Sequence, residues 1–85
     1  MSAPDHVVRV RNIAASVFLN PSTQEGKLVH APRIALKSKF RGADGGVRYT
    51  YFLFPNEVPF ALMALQKAFD WITENAHSIN YAKSG

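Results

Sequence analysis

Between Arg33 and Arg41 the chain sets a cation at almost every second position: Arg33, Lys37, Lys39 and Arg41 share one parity with Ala35, and Ile34, Leu36 and Phe40 share the other. Successive side chains of an extended strand point to opposite faces, so this spacing gathers four positive charges on one side of a sheet. Such a row can hold anionic groups but transfers nothing. Arg9 and Arg11 alternate with Val8 and Val10 in the same way, and Arg48 stands beside Tyr49, Tyr51, Phe52 and Phe54. Cations next to aromatic rings suit an unpaired nucleic acid, because charge tracks phosphate while rings stack on bases. The expected contact set is therefore Arg9, Arg11, Arg33, Lys37, Lys39, Arg41, Arg48 and Phe52. The competing reading is an ordinary polar outer face on a half-buried sheet, with lysines deterring edge aggregation.

Catalytic chemistry is poorly served. The six carboxylates, Asp5, Glu25, Asp44, Glu57, Asp70 and Glu74, form no close pair and no metal-ligand spacing. His6, His30 and His77 are far apart, Ser16, Ser22 and Ser38 sit in no nucleophile elbow, and the glycines of 42–46 lack the lysine and helix of a phosphate loop. A binding protein with no metal, cofactor or small-molecule substrate is expected, not an enzyme.

The fold that carries these residues is small, since 85 residues allow one core. With 47% hydrophobic and 19% charged residues the chain folds. No cysteine is present to staple so small a core, which makes oligomerisation the expected support. The net charge of +4 and pI near 9.8 favour an acidic partner. Absence of cysteine and of an apolar leader or membrane-length run points to the cytoplasm, without membrane insertion. Residues 1–6 are expected to be a flexible N-terminus, 7–77 a single domain and 78–85 a frayed tail.

Three β-rich stretches, about Val7 to Leu19, Lys27 to Arg41 and Val47 to Phe54, are divided by Asn20-Pro21-Ser22-Thr23 with Gly26 and by the glycine-rich 42–46 segment. The apolar parity of the first changes near Asn12, where a bulge or bend would split it into two strands, and Pro32 marks an edge or irregularity. Placing Tyr49, Tyr51 and Leu53 in the core leaves Arg48, Thr50, Phe52 and Phe54 on the basic face. The alternative is the reverse register, with the phenylalanines in the core and the tyrosines outside; either leaves two aromatics on the basic face. From Asn56, the expected N-cap, the period becomes helical to about His77, with Val58, Ala61, Leu62, Leu65, Phe69, Ile72 and Ala76 as the core stripe. The expected fold class is thus α+β: a four-stranded curved antiparallel sheet followed by one long C-terminal helix. Phe60, Met63, Ala64, Lys67 and Trp71 would then form a second apolar helix face for a symmetry mate, a homodimer through the helices. Alternatively, Trp71 caps the domain's own core.

The strand Ile13 to Asn20, the strand Arg33 to Arg41, the glycine-rich turn and the helix ending Ala68-Phe69-Asp70-Trp71-Ile72 together resemble small bacterial and mobile-element proteins. These are similar to the superfamily of single-stranded-DNA-binding proteins that includes the transcriptional coactivator positive cofactor four and the plant Whirly proteins. The resemblance spans roughly Val7 to Ile72. It implies a dimer whose sheets form a basic, aromatic channel for unpaired DNA, with Arg33, Lys37, Lys39, Arg41, Arg48 and Phe52 at the channel positions. Phe18 and Leu19 depart from the aromatic pattern after the Ala-Ser-Val step. Single-stranded RNA is a variant of the same expectation.

Overall fold

The computed structural model describes residues 3–75. Its strands are β1 (His6–Val10), β2 (Ile13–Phe18), β3 (Pro21–Gln24), β4 (Lys27–His30), β5 (Arg33–Arg41) and β6 (Val47–Thr50), followed by a 3₁₀ turn, Pro55–Glu57, and helix α1 (Val58–Glu74). The main sheet is antiparallel in the order β1-β2-β5-β6, and β3 and β4 form a separate two-stranded piece. The architecture is α+β, with the expected four-stranded sheet and C-terminal helix.

The parity change near Asn12 is a two-residue turn: Val10 faces Ile13 across it. Arg11 sits at φ +53, a left-handed conformation unfavourable to a residue with a Cβ, with its guanidinium over the Phe60 ring. Of the residues expected in a flexible terminus, His6 belongs to this sheet and Asp5 is tied to it. His6 opens β1, the Asp5 N–H donates to the Val17 carbonyl at 2.8 Å, and the Asp5 carboxylate accepts the Leu19 N–H at 2.9 Å.

The supposed break at 20–26 holds a strand of its own. Phe18 faces Arg33 and, three residues on, Pro21 faces His30, so β2–β3 and β4–β5 are two sides of one ribbon in unbroken register. Asn20 at φ +45 and Pro32 interrupt it, where Pro32 has no N–H to give. At the tip Glu25 and Gly26 both take positive φ, +52 and +78, the two-residue turn whose twist matches the flanking strands. β6 ends at Thr50, short of Phe54, because the Thr50 hydroxyl captures the Phe52 N–H at 3.1 Å and the chain leaves the ladder.

The core lies between β2 and the helix. Ile13, Ala15 and Val17 meet Ala61, Ala64, Ala68 and Ile72, with Val8, Val10, Ile34, Leu36, Leu53, Phe60 and Trp71 packed around them. Three buried alanines on one stripe let the helix backbone come close to β1 and β2, which it covers, leaving the β5–β6 side open. Asn56 does not cap the helix; it lies in the 3₁₀ turn, and Glu57 closes the start instead. The Phe54 N–H donates to Glu57 Oε1 at 2.8 Å while the Glu57 N–H donates to the Phe54 carbonyl at 2.8 Å. The helix ends at Glu74, where Asn75 Nδ2 donates to the Trp71 carbonyl at 2.7 Å. The expected continuation to His77 and the tail 78–85 lie outside the described residues. Among the described residues no helix is long and apolar enough to cross a membrane.

Candidate nucleic-acid interface

Two faces of the main sheet carry opposite chemistry. Because Ile13, Ala15 and Val17 point to the helix, Ala14, Ser16 and Phe18 point away from it. Cross-strand pairing then fixes their companions: Arg9 and Lys37 flank Ala14, Val7 and Ala35 flank Ser16, and Arg33 flanks Phe18. Ala14 and Ser16 are buried although no helix covers them, since they are short side chains on the central strand with taller neighbours on each side. The open face is thus a shallow trough along β2. Arg9 forms one bank, and Arg33, Lys37, Lys39 and Arg41 form the other.

Lys39 pairs with Tyr49, and Lys37 Nζ lies 4.3 Å from the centre of the Tyr49 ring. This decides the register left open by the sequence: the tyrosine, half exposed, stands on the basic face with a cation against its ring. The four strands of the main sheet contain no acidic residue, so no carboxylate from those strands interrupts the five cations.

Three expected contacts are placed elsewhere. Arg48 faces Phe40, on the opposite side of the sheet, and pairs with Asp44 at 3.1 Å across the glycine turn. Phe52 lies beyond the end of β6 and lines an apolar hollow of about 250 Å³ with Phe40, Thr50, Leu53 and Phe54 on the helix side. Arg11, in the β1–β2 turn, holds its guanidinium 4.6 Å from the centre of the Phe60 ring, again on the helix side. All three corrections have one origin: side-chain parity changes wherever a turn or a departure from the ladder intervenes. Arg41 keeps its face and also donates to the Gly45 carbonyl at 3.0 Å, which ties it to the turn.

The residues expected on a helix face for a symmetry mate do not share one open surface in the single chain. Ala64 is fully buried in the domain's own core, Phe60 lies under Arg11, and Trp71 stacks on His6 at 4.7 Å with the rings 3° from parallel. Of that set Met63 is exposed, and Lys67 lies on the wall of a groove beside β1. The apolar residues left uncovered lie on the other flank, Val58, Leu62 and Phe69, which the helical spacing places in the core stripe.

A polar node that sequence reasoning missed fixes the sheet to the helix. Asn12 Nδ2 donates to Ser38 Oγ at 2.9 Å, to the Lys39 carbonyl at 3.3 Å and to Glu57 Oε2, and Ser38 Oγ donates to the same carboxylate oxygen at 2.9 Å. The Phe54 N–H, then Asn12 and Ser38, hold the Glu57 carboxyl below its ordinary value, against the opposing pull of desolvation. The only available signal was a serine at an otherwise apolar β5 parity. The node holds β5 and its cation row against the start of α1.

Among the described residues no group of histidines and carboxylates could hold a metal ion. Comparison with family models, with curated proteins and with solved structures gave no match.

Proposed function

We propose that the chain binds single-stranded nucleic acid, DNA in the first instance, through the open face of its main sheet, by charge and stacking and without catalysis. The supporting observation is the segregation of charge. Arg9, Arg33, Lys37, Lys39 and Arg41 share the uncovered face with Tyr49, while Asp5 lies just before β1 with its carboxylate on the Leu19 N–H and the other acids lie on the ribbon tip, the glycine turn, the 3₁₀ turn and the helix. Arg9 and Lys37 lie two strands apart, roughly 10 Å, so a strand laid along the trough meets cations on both banks. The Tyr49 face away from Lys37 offers a stacking surface. The likeness to the positive cofactor four and Whirly superfamily belongs to this proposal, as does a bacterial cytoplasmic setting.

A homodimer completes the reading, through a surface different from the one first expected. Phe40 (44% exposed), Phe52 (85%), Phe54 (74%), Leu62 (61%) and Phe69 (56%) border the uncovered β5–β6 side together with Val58. Taking about 200 Å² for a whole aromatic residue, they expose on the order of 600–700 Å² per chain. A monomer's largest apolar patch is about 300–600 Å², and a standard interface takes about 800 Å² per partner.

The same patch favours a second reading, an interaction module whose apolar surface docks a different protein while the basic face is only solvated. Fluorescence anisotropy with one labelled oligonucleotide, single-stranded and as a duplex, separates the two. The proposal predicts tighter binding of the single strand, lost in part on Tyr49→Ala. Equal or tighter duplex binding removes the stacking mechanism, and no binding of either leaves the interaction module.

A further inference from the structure

We propose that the outer edge of β1, unpaired among the described residues, takes up an extended peptide as an added strand, at a site that adjoins the basic face at Arg9 and extends from there to the helix. β1 is an outer strand of the sheet. The two-residue turn that closes on Val10 and Ile13 makes Val10, Val8 and His6 the residues that exchange hydrogen bonds with β2. Val7 and Arg9 consequently point their N–H and C=O groups outward, two donors and two acceptors in the repeat that another strand needs.

An open groove of about 470 Å³ runs beside this edge, between His6, Val7, Val8 and Arg9 on the strand and Lys67, Asp70, Trp71 and Glu74 on the helix. His6 stacks on Trp71 and Arg11 covers Phe60, so β1 and α1 run antiparallel along it. The groove is therefore polar from end to end, with Asp70 and Glu74 toward the His6 end and Arg9 and Lys67 toward the other. Carboxylates on the wall disfavour a nucleic acid here. A peptide strand has the backbone groups to match the edge. Its helix-side residues would set a lysine or arginine against Asp70 and Glu74 and an apolar side chain against Val8 and Trp71. β6, the other outer strand, also turns the backbone groups of Val47 and Tyr49 outward, but the helix packs on β1 and β2 and sets no charged wall beside it to select a peptide's side chains.

The probe is a fluorescein-labelled hexapeptide with lysine and leucine two positions apart and threonine elsewhere, against a control with glutamate for lysine. Val7→Pro removes one outward N–H while the bonds to β2 remain, a position at which an edge strand tolerates proline. The lysine peptide should bind the wild type and bind Val7→Pro about five- to tenfold more weakly, the worth of a backbone hydrogen bond. Asp70→Lys with Glu74→Lys, on the exposed helix wall, should reverse the preference to the glutamate peptide. Circular dichroism establishes that the variants fold, and the charge-reversed pair carries the test if Val7→Pro does not. No saturable binding of the lysine peptide, binding indifferent to both sets of changes, or a Val7→Pro-sensitive self-association showing the edge occupied by a second copy's β1 would each overturn the proposal.

Discussion

Changing Lys37 and Lys39 together to alanine should flatten the salt dependence of oligonucleotide binding, whereas Arg48→Ala should not. Five cations share the open face. If each neutralises one phosphate, the logarithm of affinity falls against the logarithm of salt with a slope of about −3.5, at roughly −0.7 per contact for a single strand. Removing two leaves about −2, a change of roughly 1.4 units. Arg48 lies on the opposite side of the sheet, paired with Asp44 in an exposed ion pair worth at most about 1 kcal/mol, so its loss should touch neither slope nor fold. Lys37→Ala should reduce affinity more than Lys39→Ala, because it also strips the cation from the Tyr49 ring. The assay is anisotropy of a labelled oligothymidine titrated at several potassium chloride concentrations, with the thermal midpoint of each variant as the folding check. A slope flattened as much by Arg48→Ala as by the lysine pair would refute the face assignment. A slope unchanged by the pair in a folded protein would refute the electrostatic account.

Three further outcomes are expected. Ala68→Leu forces a larger side chain into the fully buried seam between helix and sheet and should cost about 1–3 kcal/mol in urea denaturation; an unchanged midpoint would refute that packing. The Glu57 carboxyl titrates lower folded than unfolded, so its stabilisation is complete above the unfolded value and is lost as pH falls toward the folded one. Stability measured from neutral to acid pH should therefore fall more steeply in wild type than in Glu57→Gln, and parallel curves would remove the carboxylate from the node. Leu62→Glu with Phe69→Glu should give a monomer by sedimentation without loss of fold if the wild type self-associates through the apolar flank, while a dimer that survives both changes uses another surface.

The parts of this fold legible in the sequence were those where only one period fits. β5 alternates cations with apolar residues, and only one face can be charged. The glycine-rich turn and the change to helical spacing after Phe54 were equally plain. β6 was not, because Tyr49, Tyr51, Phe52, Leu53 and Phe54 put bulky apolar groups at both parities, so alternation held no information on facing. The helix was ambiguous for a similar reason. Apolar residues surround most of it, and the stripe that went inside was the small one, Ala61, Ala64 and Ala68, which permits the closest approach to β2. Large side chains such as Leu62 and Phe69 were left outside. Pro21-Ser22-Thr23-Gln24 looked like a loop by composition and became a strand because the register of β2 and β5 carries through it. The Glu57 node joins residues far apart in the chain, and its one local trace is Ser38 at the otherwise apolar parity of β5.

The open face is tested most directly by methyl resonances, since methyl groups, unlike amides, belong to one side of a sheet. On titration with an unlabelled single-stranded oligonucleotide, the methyls of Val7, Ala14 and Ala35 on the open face should shift, and those of Ala15, Ile34, Leu36 and Leu62 on the helix side should hold still. Shifts confined to Leu62, Ile34 and Leu36, with the open face silent, would contradict the account.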